Sequence, residues 1–166
     1  SQGDGIYALD LSERPDSVWI TSKTAWEQSG IATLTTRSSG NSSALQPGQW
    51  SYLGGEQKLV YALNSRETIE DLHIEGVTKQ LLMDVSRRQH ITVENLSFHH
   101  SAKTALAVQK SSGYIELKDI TVSRVEQNAM VVTGSSNVHI SDCTIEDARN
   151  NGIVFNGSED NPVSHS

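Results

Sequence analysis

The sequence predicts an all-β protein whose second half is a solenoid of short, stacked parallel strands. An alternation of apolar and polar residues recurs about every 24 residues, as in Ile91 to Phe98 and Ile115 to Val122. Val138 to Ile145 is a third copy that arrives one residue early, and Glu67 to Ile74 is a weaker, earlier copy. A fixed period in the twenties, filled with β-branched residues, is typical of repeats that bury their apolar faces only against the next repeat.

Two strands of each repeat are joined by a bend. Ile91 and Val93 point inward on the first run, and Leu96 and Phe98 point inward on the second. The bend between the runs is an Asn or Asp in each repeat: Asp71, Asn95, Asp119 and Asp142. These residue types tolerate left-handed backbone angles better than other non-glycine residues do. We therefore interpret this column as a structural corner rather than as a row of catalytic carboxylates.

A third apolar run follows a polar stretch in each repeat. Its first column is Leu82, Leu106, Met130 and Ile153. Three runs that are too short and too close to form hairpins with one another favour parallel pairing between coils. The Leu-x-x-Leu-x-Leu spacing of leucine-rich repeats, the main structural competitor, is absent. We place the single thiol, Cys143, in the apolar core as a packing residue.

The period, the Asn or Asp bend and the Asn151-Gly152 pair near the third run resemble the right-handed parallel β-helix superfamily. That superfamily includes pectate lyases, polygalacturonases and alginate-active enzymes. The resemblance covers residues 67–166 and implies a right-handed parallel β-helix of about four coils. It also implies an extracytoplasmic location, secreted or periplasmic, and a polysaccharide or oligosaccharide as partner.

Residues 1–66 differ in composition from the repeats. They hold all three tryptophans, and Ile6 to Leu11, Ser17 to Ile20 and Lys58 to Leu63 alternate as strands do. We predict an irregular, β-rich N-terminal cap, because the first coil of a solenoid otherwise exposes unpaired backbone and an open core.

The C-terminal residues fall where a further coil should begin. Asp160 to Ser166 lie about one period after Val138, and no capping segment follows them in the sequence. We therefore expect either further coils beyond residue 166 or end-to-end stacking on a partner.

Charge and composition exclude several classes of partner. The formal net charge is −7 with no basic patch in the sequence, which argues against nucleic acid. No apolar run reaches the length of a membrane span. Four histidines are isolated in the repeat alignment, so we predict no metal centre and no cofactor: His73, His90, His139 and His165.

The candidate site is a concentration of charge between the second and third runs. Its residues are His99, His100, Arg124, Glu126, Glu146, Asp147 and Arg149. Charged groups of both signs suit the hydroxyls of a sugar. If Glu126 and Asp147 project together, strand spacings separate them by roughly 8 Å, within the roughly 6.5–9.5 Å range of inverting glycosidases. They are the candidate acid and base, and the other five residues are candidate substrate ligands.

Another interpretation remains open for this cluster. Opposite charges one coil apart also form surface ladders that have no ligand. The paired aspartates of polygalacturonases are missing before the third run, where the chain has Lys103-Thr104 and Asn150-Asn151. The predicted function is therefore a carbohydrate-engaging β-helix, as a polysaccharide lyase or glycoside hydrolase fragment. The alternative is a non-catalytic binding or sensor module of a larger signalling or surface protein.

Overall fold

The computed structural model describes residues 5–29, 33–34 and 44–166. They form two compact units with the boundary in the chain after Thr78, whereas the sequence prediction divided the chain after Arg66. Each unit has its own sheets and its own buried core.

The first unit is built from antiparallel strands, in agreement with the predicted β-rich lead-in. Its described elements are β1 (Ile6–Asp10), β2 (Ser17–Ser22), α1 (Lys23–Ser29), β3 (Thr33–Leu34), β4 (Trp50–Leu53), β5 (Lys58–Ala62) and β6 (Leu72–Val77). One sheet has the order β1-β5-β4 and the other the order β3-β2-β6. Trp50 and Tyr61 are almost fully buried between apolar neighbours that include Val18 and Leu59. The aromatic residues therefore supply the core of this unit.

The weak early repeat at Glu67 to Ile74 is not a coil, so that part of the prediction is wrong. Ile69–Asp71 form a single 3-10 turn, and β6 pairs antiparallel with β2. Local hydrogen bonds decide this conformation, because the Glu67 carboxylate accepts from the Asn64 backbone N–H and side-chain amide and from the Tyr61 hydroxyl. Asp71 consequently lies in a turn and does not occupy a coil corner.

The second unit is a parallel solenoid, as predicted. Its strands are β7 (Leu81–Asp84), β8 (Gln89–Ser101), β9 (Thr104–Gln109), β10 (Gly113–Val125), β11 (Asn128–Thr133), β12 (Ser136–Ser141), β13 (Thr144–Ala148), β14 (Asn151–Asn156) and β15 (Val163–Ser164). One sheet stacks β7, β9, β11 and β14, and a second stacks β8, β10, β12, β13 and β15. Every pairing in these two sheets is parallel. The result is a β-solenoid of about four turns.

The register confirms that equivalent residues of successive coils lie in columns. Ile115 pairs with Ile91 on one side and with Val138 on the other, and Ile120 pairs with Leu96. The column of the third run differs from the predicted one by a single position, because Met83 rather than Leu82 pairs with Leu106. The repeat length is not constant, because the second coil has an extra residue between β9 and β10. The step from β7 to β9 is 23 residues (83 to 106), whereas the step from β8 to β10 is 24 (91 to 115).

The Asn and Asp bend is a structural corner in three coils. Asn95, Asp119 and Asp142 all have left-handed backbone, with φ values of 55°, 50° and 52°. The left-handed angle resets the inside–outside alternation after each bend. Ile120 after Asp119 and Cys143 after Asp142 are both buried, whereas Leu96 after Asn95, which was predicted to point inward, is 43% exposed. Among the described strands, β8 pairs with β10 on one side and with none on the other, so Leu96 is covered by one coil instead of two.

The solenoid core consists of stacked aliphatic side chains. Leu106, Leu117, Ile120, Met130 and Ile140 are fully buried. Cys143 lies among them, and burial raises the pKa of its thiol. Desolvation keeps this thiol protonated, which agrees with its predicted role in packing.

Candidate functional site

The structure brings the predicted charged column together. His100, Arg124 and Asp147 occupy the same position on three successive coils, as the pairing of their neighbours requires. All three have left-handed backbone, with φ values of 59°, 57° and 53°. This column is therefore a second corner of the coil, in addition to the Asn and Asp corner.

Glu126 lies two residues after Arg124, between β10 and β11, and forms an ion pair with Arg149. An Arg149 guanidinium nitrogen donates to Glu126 Oε2 at 2.8 Å. The Glu126 side chain is 12% exposed, whereas that of Arg149 is 64% exposed. Such a pair is the opposite-charge ladder that the sequence left open as an alternative. The catalytic role of Glu126 with Asp147 stays a prediction.

His99 and Glu146 belong to a neighbouring column with a serine between them. Ser123 pairs with His99 on one side and with Glu146 on the other. The imidazole Nδ1 of His99 lies 2.6 Å from the Ser123 hydroxyl. These contacts join adjacent coils, and their role in substrate binding also stays a prediction.

A groove opens at a different corner, where the third strand of one coil turns into the first strand of the next. It has a volume of about 360 Å³. Its lining comes from four coils: Gln89, Ser111, Ser112, Gly113, Tyr114, Gly134, Ser135, Ser136, Asn137, Gly157 and Glu159. Most of these side chains are small or form hydrogen bonds, so the surface suits a ligand rich in hydroxyls.

Two features of the backbone keep this corner open. Gly134 and Gly157 have left-handed φ values of 56° and 57°, and no atom lies within 4 Å of where a Cβ would be. Lys110 and Ser111 are consecutive left-handed residues, with φ values of 61° and 62°. They accommodate the extra residue of the second coil, so that the insertion widens the corner without displacing the strands.

A column of serines ties the floor of the groove together. The hydroxyls of Ser112, Ser135 and Ser158 lie 3.1, 3.5 and 3.4 Å from carbonyl oxygens of the preceding coil, those of Val85, Val108 and Val132. Ser112 and Ser135 are buried. The floor therefore links each coil to the one before it through side chains as well as backbone.

Tyr114 presents an aromatic ring at the wall of this groove. It is 59% exposed and has a left-handed φ of 53°. Its ring stacks on that of His90 in the preceding coil, with a centroid separation of 4.9 Å and an interplanar angle of 4°. Asn137 and Asp160 occupy the same column in the following coils. The aromatic stack thus has two members and is followed by smaller polar side chains.

A second depression adjoins the first and shares Asn137 with it. Its volume is about 600 Å³, and His139, Asp160, Asn161 and Pro162 complete its lining. The Asn161 side-chain oxygen accepts the Val138 N–H at 2.8 Å. Asn161 is therefore held in the wall by the preceding coil.

Within residues 5–29, 33–34 and 44–166, no group of three or more His, Cys, Asp or Glu side chains could hold a metal ion. In the same part of the chain, no helix is both long and apolar enough to cross a bilayer.

A family model described as right-handed β-helix region matches residues 53–166. The chain belongs to this family. The match starts within β4 and extends through the whole solenoid, whose parallel sheets fit the description. Comparisons with curated proteins and with solved structures gave no match.

Sequence reasoning placed the candidate site one corner away from the groove. The predicted site consists of charged residues between the second and third strands, and it includes no residue of the corner after the third strand. A signal for that corner is present, because Ser111-Ser112-Gly113, Gly134-Ser135-Ser136 and Gly157-Ser158-Glu159 recur one coil apart. Small residues that recur at a fixed period indicate a corner without large side chains, just as recurring charges indicate a polar corner.

Proposed function

We propose that this right-handed β-helix is an extracytoplasmic carbohydrate-binding module that holds an oligosaccharide in the groove beside Tyr114. The observation that carries the proposal is the exposed Tyr114 ring at the wall of a groove lined by small polar residues. The groove, rather than the charged column of His100, Arg124 and Asp147, is the proposed binding surface.

The stacked pair leaves room for a flat ligand in the next position. Successive coils are about 4.8 Å apart, close to the 4.9 Å between the centroids of the His90 and Tyr114 rings. A third ring stacked on Tyr114 would lie at the level of Asn137, whose side chain is much smaller than an aromatic ring. The apolar face of a pyranose is flat enough for that position, and burying it against Tyr114 removes apolar surface from water.

The left-handed angle at Tyr114 belongs to a corner of the coil. His90, Asn137 and Asp160 occupy the same column and have left-handed φ values of 57°, 54° and 51°, close to the 53° of Tyr114. The corner therefore accounts for the backbone conformation, and it is the exposed ring beside the groove that supports binding.

Polar groups surround the proposed ring position. The Asn137 amide both donates and accepts, the Ser136 hydroxyl does the same, and the Glu159 carboxylate accepts. Sugar hydroxyls need donors and acceptors at close range, and the groove supplies them from two neighbouring coils.

Binding is tested by a glycan array probed with the labelled 166-residue chain, followed by titration calorimetry on the best oligosaccharide. Tyr114→Asn removes the ring but suits the left-handed backbone, and we expect it to weaken binding about tenfold, or about 1.4 kcal/mol. Tyr114→Phe keeps the ring and is the matched control, with affinity close to that of the parent chain. Equal affinity of the Asn variant and the parent chain would refute the proposal.

The same oligosaccharide distinguishes binding from catalysis. Mass spectrometry after incubation detects new reducing ends from hydrolysis or unsaturated ends from elimination. A binding module leaves the ligand intact. Cleavage that is lost in Glu126→Gln and in Asp147→Asn would instead support the hydrolase or lyase prediction.

A further inference from the structure

Residues that precede or line the groove carry opposite charges at its two ends. Arg87 and Arg88 precede the groove residue Gln89 in the first coil, and Lys110 precedes Ser111 in the second. Glu159 and Asp160 lie at the other end, in the fourth coil. The net charge of −7 and the even spread of charge along the sequence hide this local separation, which only the stacking of coils reveals.

The carboxylate of Asp84 lies near the cationic end and accepts a hydrogen bond from the turn that follows it. Asp84 Oδ1 accepts the Ser86 N–H at 2.8 Å. Hydrogen bonds from the Ser86 side chain and backbone, together with the nearby Lys110 and Arg87, lower the pKa of Asp84. Asp84 therefore offsets part of the positive charge there. Arg87 and Arg88 are exposed to solvent at the same end.

The distance between the two ends of the groove means that each end exerts its electrostatic effect on a ligand separately. Three coil steps of about 4.8 Å separate the levels of Arg88 and Glu159 by about 14 Å, and two steps separate those of Lys110 and Glu159 by about 10 Å. Screening in physiological salt acts over about 8 Å. A charged group on a ligand therefore responds mainly to the nearer end of the groove.

We propose that the groove binds its oligosaccharide in one orientation, with an anionic substituent at Arg88 and Lys110 and an uncharged sugar on Tyr114. This inference rests on the proposed carbohydrate function and adds the class of ligand. A uronate homopolymer would place a carboxylate beside Glu159 and is disfavoured. The fitting ligand alternates acidic and neutral sugars, and the acidic group is a carboxylate or a sulfate.

The experiment compares oligosaccharides of equal length that differ only in charge pattern. The probes are a neutral oligosaccharide, its sulfated form, an alternating uronate–neutral sequence and a uronate homo-oligomer. We expect one of the two mixed ligands to bind best, and the better one identifies the anionic group. Arg88→Gln with Lys110→Gln should reduce its affinity about five- to tenfold at low salt and leave the neutral probe unchanged.

Glu159→Gln is the matched charge variant at the other end. It should bind the uronate homo-oligomer better than the parent chain does, because it removes the repulsive carboxylate. The inference is overturned if the neutral and mixed probes bind equally, or if the double variant has no effect on the mixed probes. Binding that depends on Tyr114 but not on charge would overturn this inference alone. Failure of every probe to bind would overturn the proposed function with it.

Discussion

Asp119 gives the sharpest test of the corner geometry, because glycine and alanine should rank in opposite order at Asp119 and at a nearby strand position. Alanine at the left-handed Asp119 costs about 1–2 kcal/mol, whereas glycine costs about 0.5–1 kcal/mol through the entropy of the unfolded chain. Asp119→Gly should therefore be more stable than Asp119→Ala by about 0.5–1 kcal/mol. Glu116 is exposed in the same strand and lacks the left-handed angle. There, Glu116→Ala should be more stable than Glu116→Gly by about 0.5–1 kcal/mol.

Urea denaturation followed by far-ultraviolet circular dichroism measures both differences. The combined reversal of about 1–2 kcal/mol corresponds to a difference in urea midpoint of about 0.5–1 M between the two pairs, for slopes of about 2 kcal/mol per M. Comparing glycine with alanine at each site cancels the loss of the original side chain. If alanine is the more stable residue at both positions, the left-handed angle at Asp119 does not determine which residues the corner accepts.

Two further predictions concern the core and pH. Ile120→Ala should destabilise the chain by about 2–5 kcal/mol, because it opens a cavity at a fully buried site. Leu96→Ala, in the same column but at a 43% exposed site, should cost much less, and similar unfolding midpoints for the two variants would contradict the packing. Burial raises the pKa of Glu67, but hydrogen bonds from Asn64 and Tyr61 outweigh it and lower the pKa below the ordinary value of a glutamate. The stabilisation from Glu67 is therefore present above that value and is lost as the pH falls through the folded pKa. Glu67→Gln should flatten this loss in thermal melts between pH 5 and about pH 2, and an unchanged profile would count against it.

The solenoid was predictable because its periodic signal comes from packing. Ile91, Ile115 and Val138 lie in one column, as their spacing requires. Residues that stack on identical neighbours must match in size and polarity, so the sequence records the contact directly. The corner at Asp119 was predictable for the same reason, because few residue types accept its backbone angle.

The first unit and the groove depended on contacts that the period does not record. Glu67 resembles a repeat residue, but its hydrogen bonds with Asn64 form a local turn, and the antiparallel partner of β6 lies about 55 residues earlier in the chain. The groove depends on an extra residue at Lys110–Ser111 and on the absence of side chains at Gly134. A glycine has no side chain and therefore adds nothing to a hydropathy pattern. The charged residues at the corner of His100, Arg124 and Asp147 gave a stronger signal, and the prediction followed them.

The extra residue at Lys110–Ser111 shows that the length of a turn and the pairing of the strands can vary independently in this fold. The insertion changes the length of one turn, while the strands on either side keep their pairing. Length variation at this point alters the mouth of the groove without a cost in the aliphatic interior. Single-residue insertions and deletions at the turns are therefore a route by which chains of this fold can change the shape of their grooves while the stacked strands keep their register.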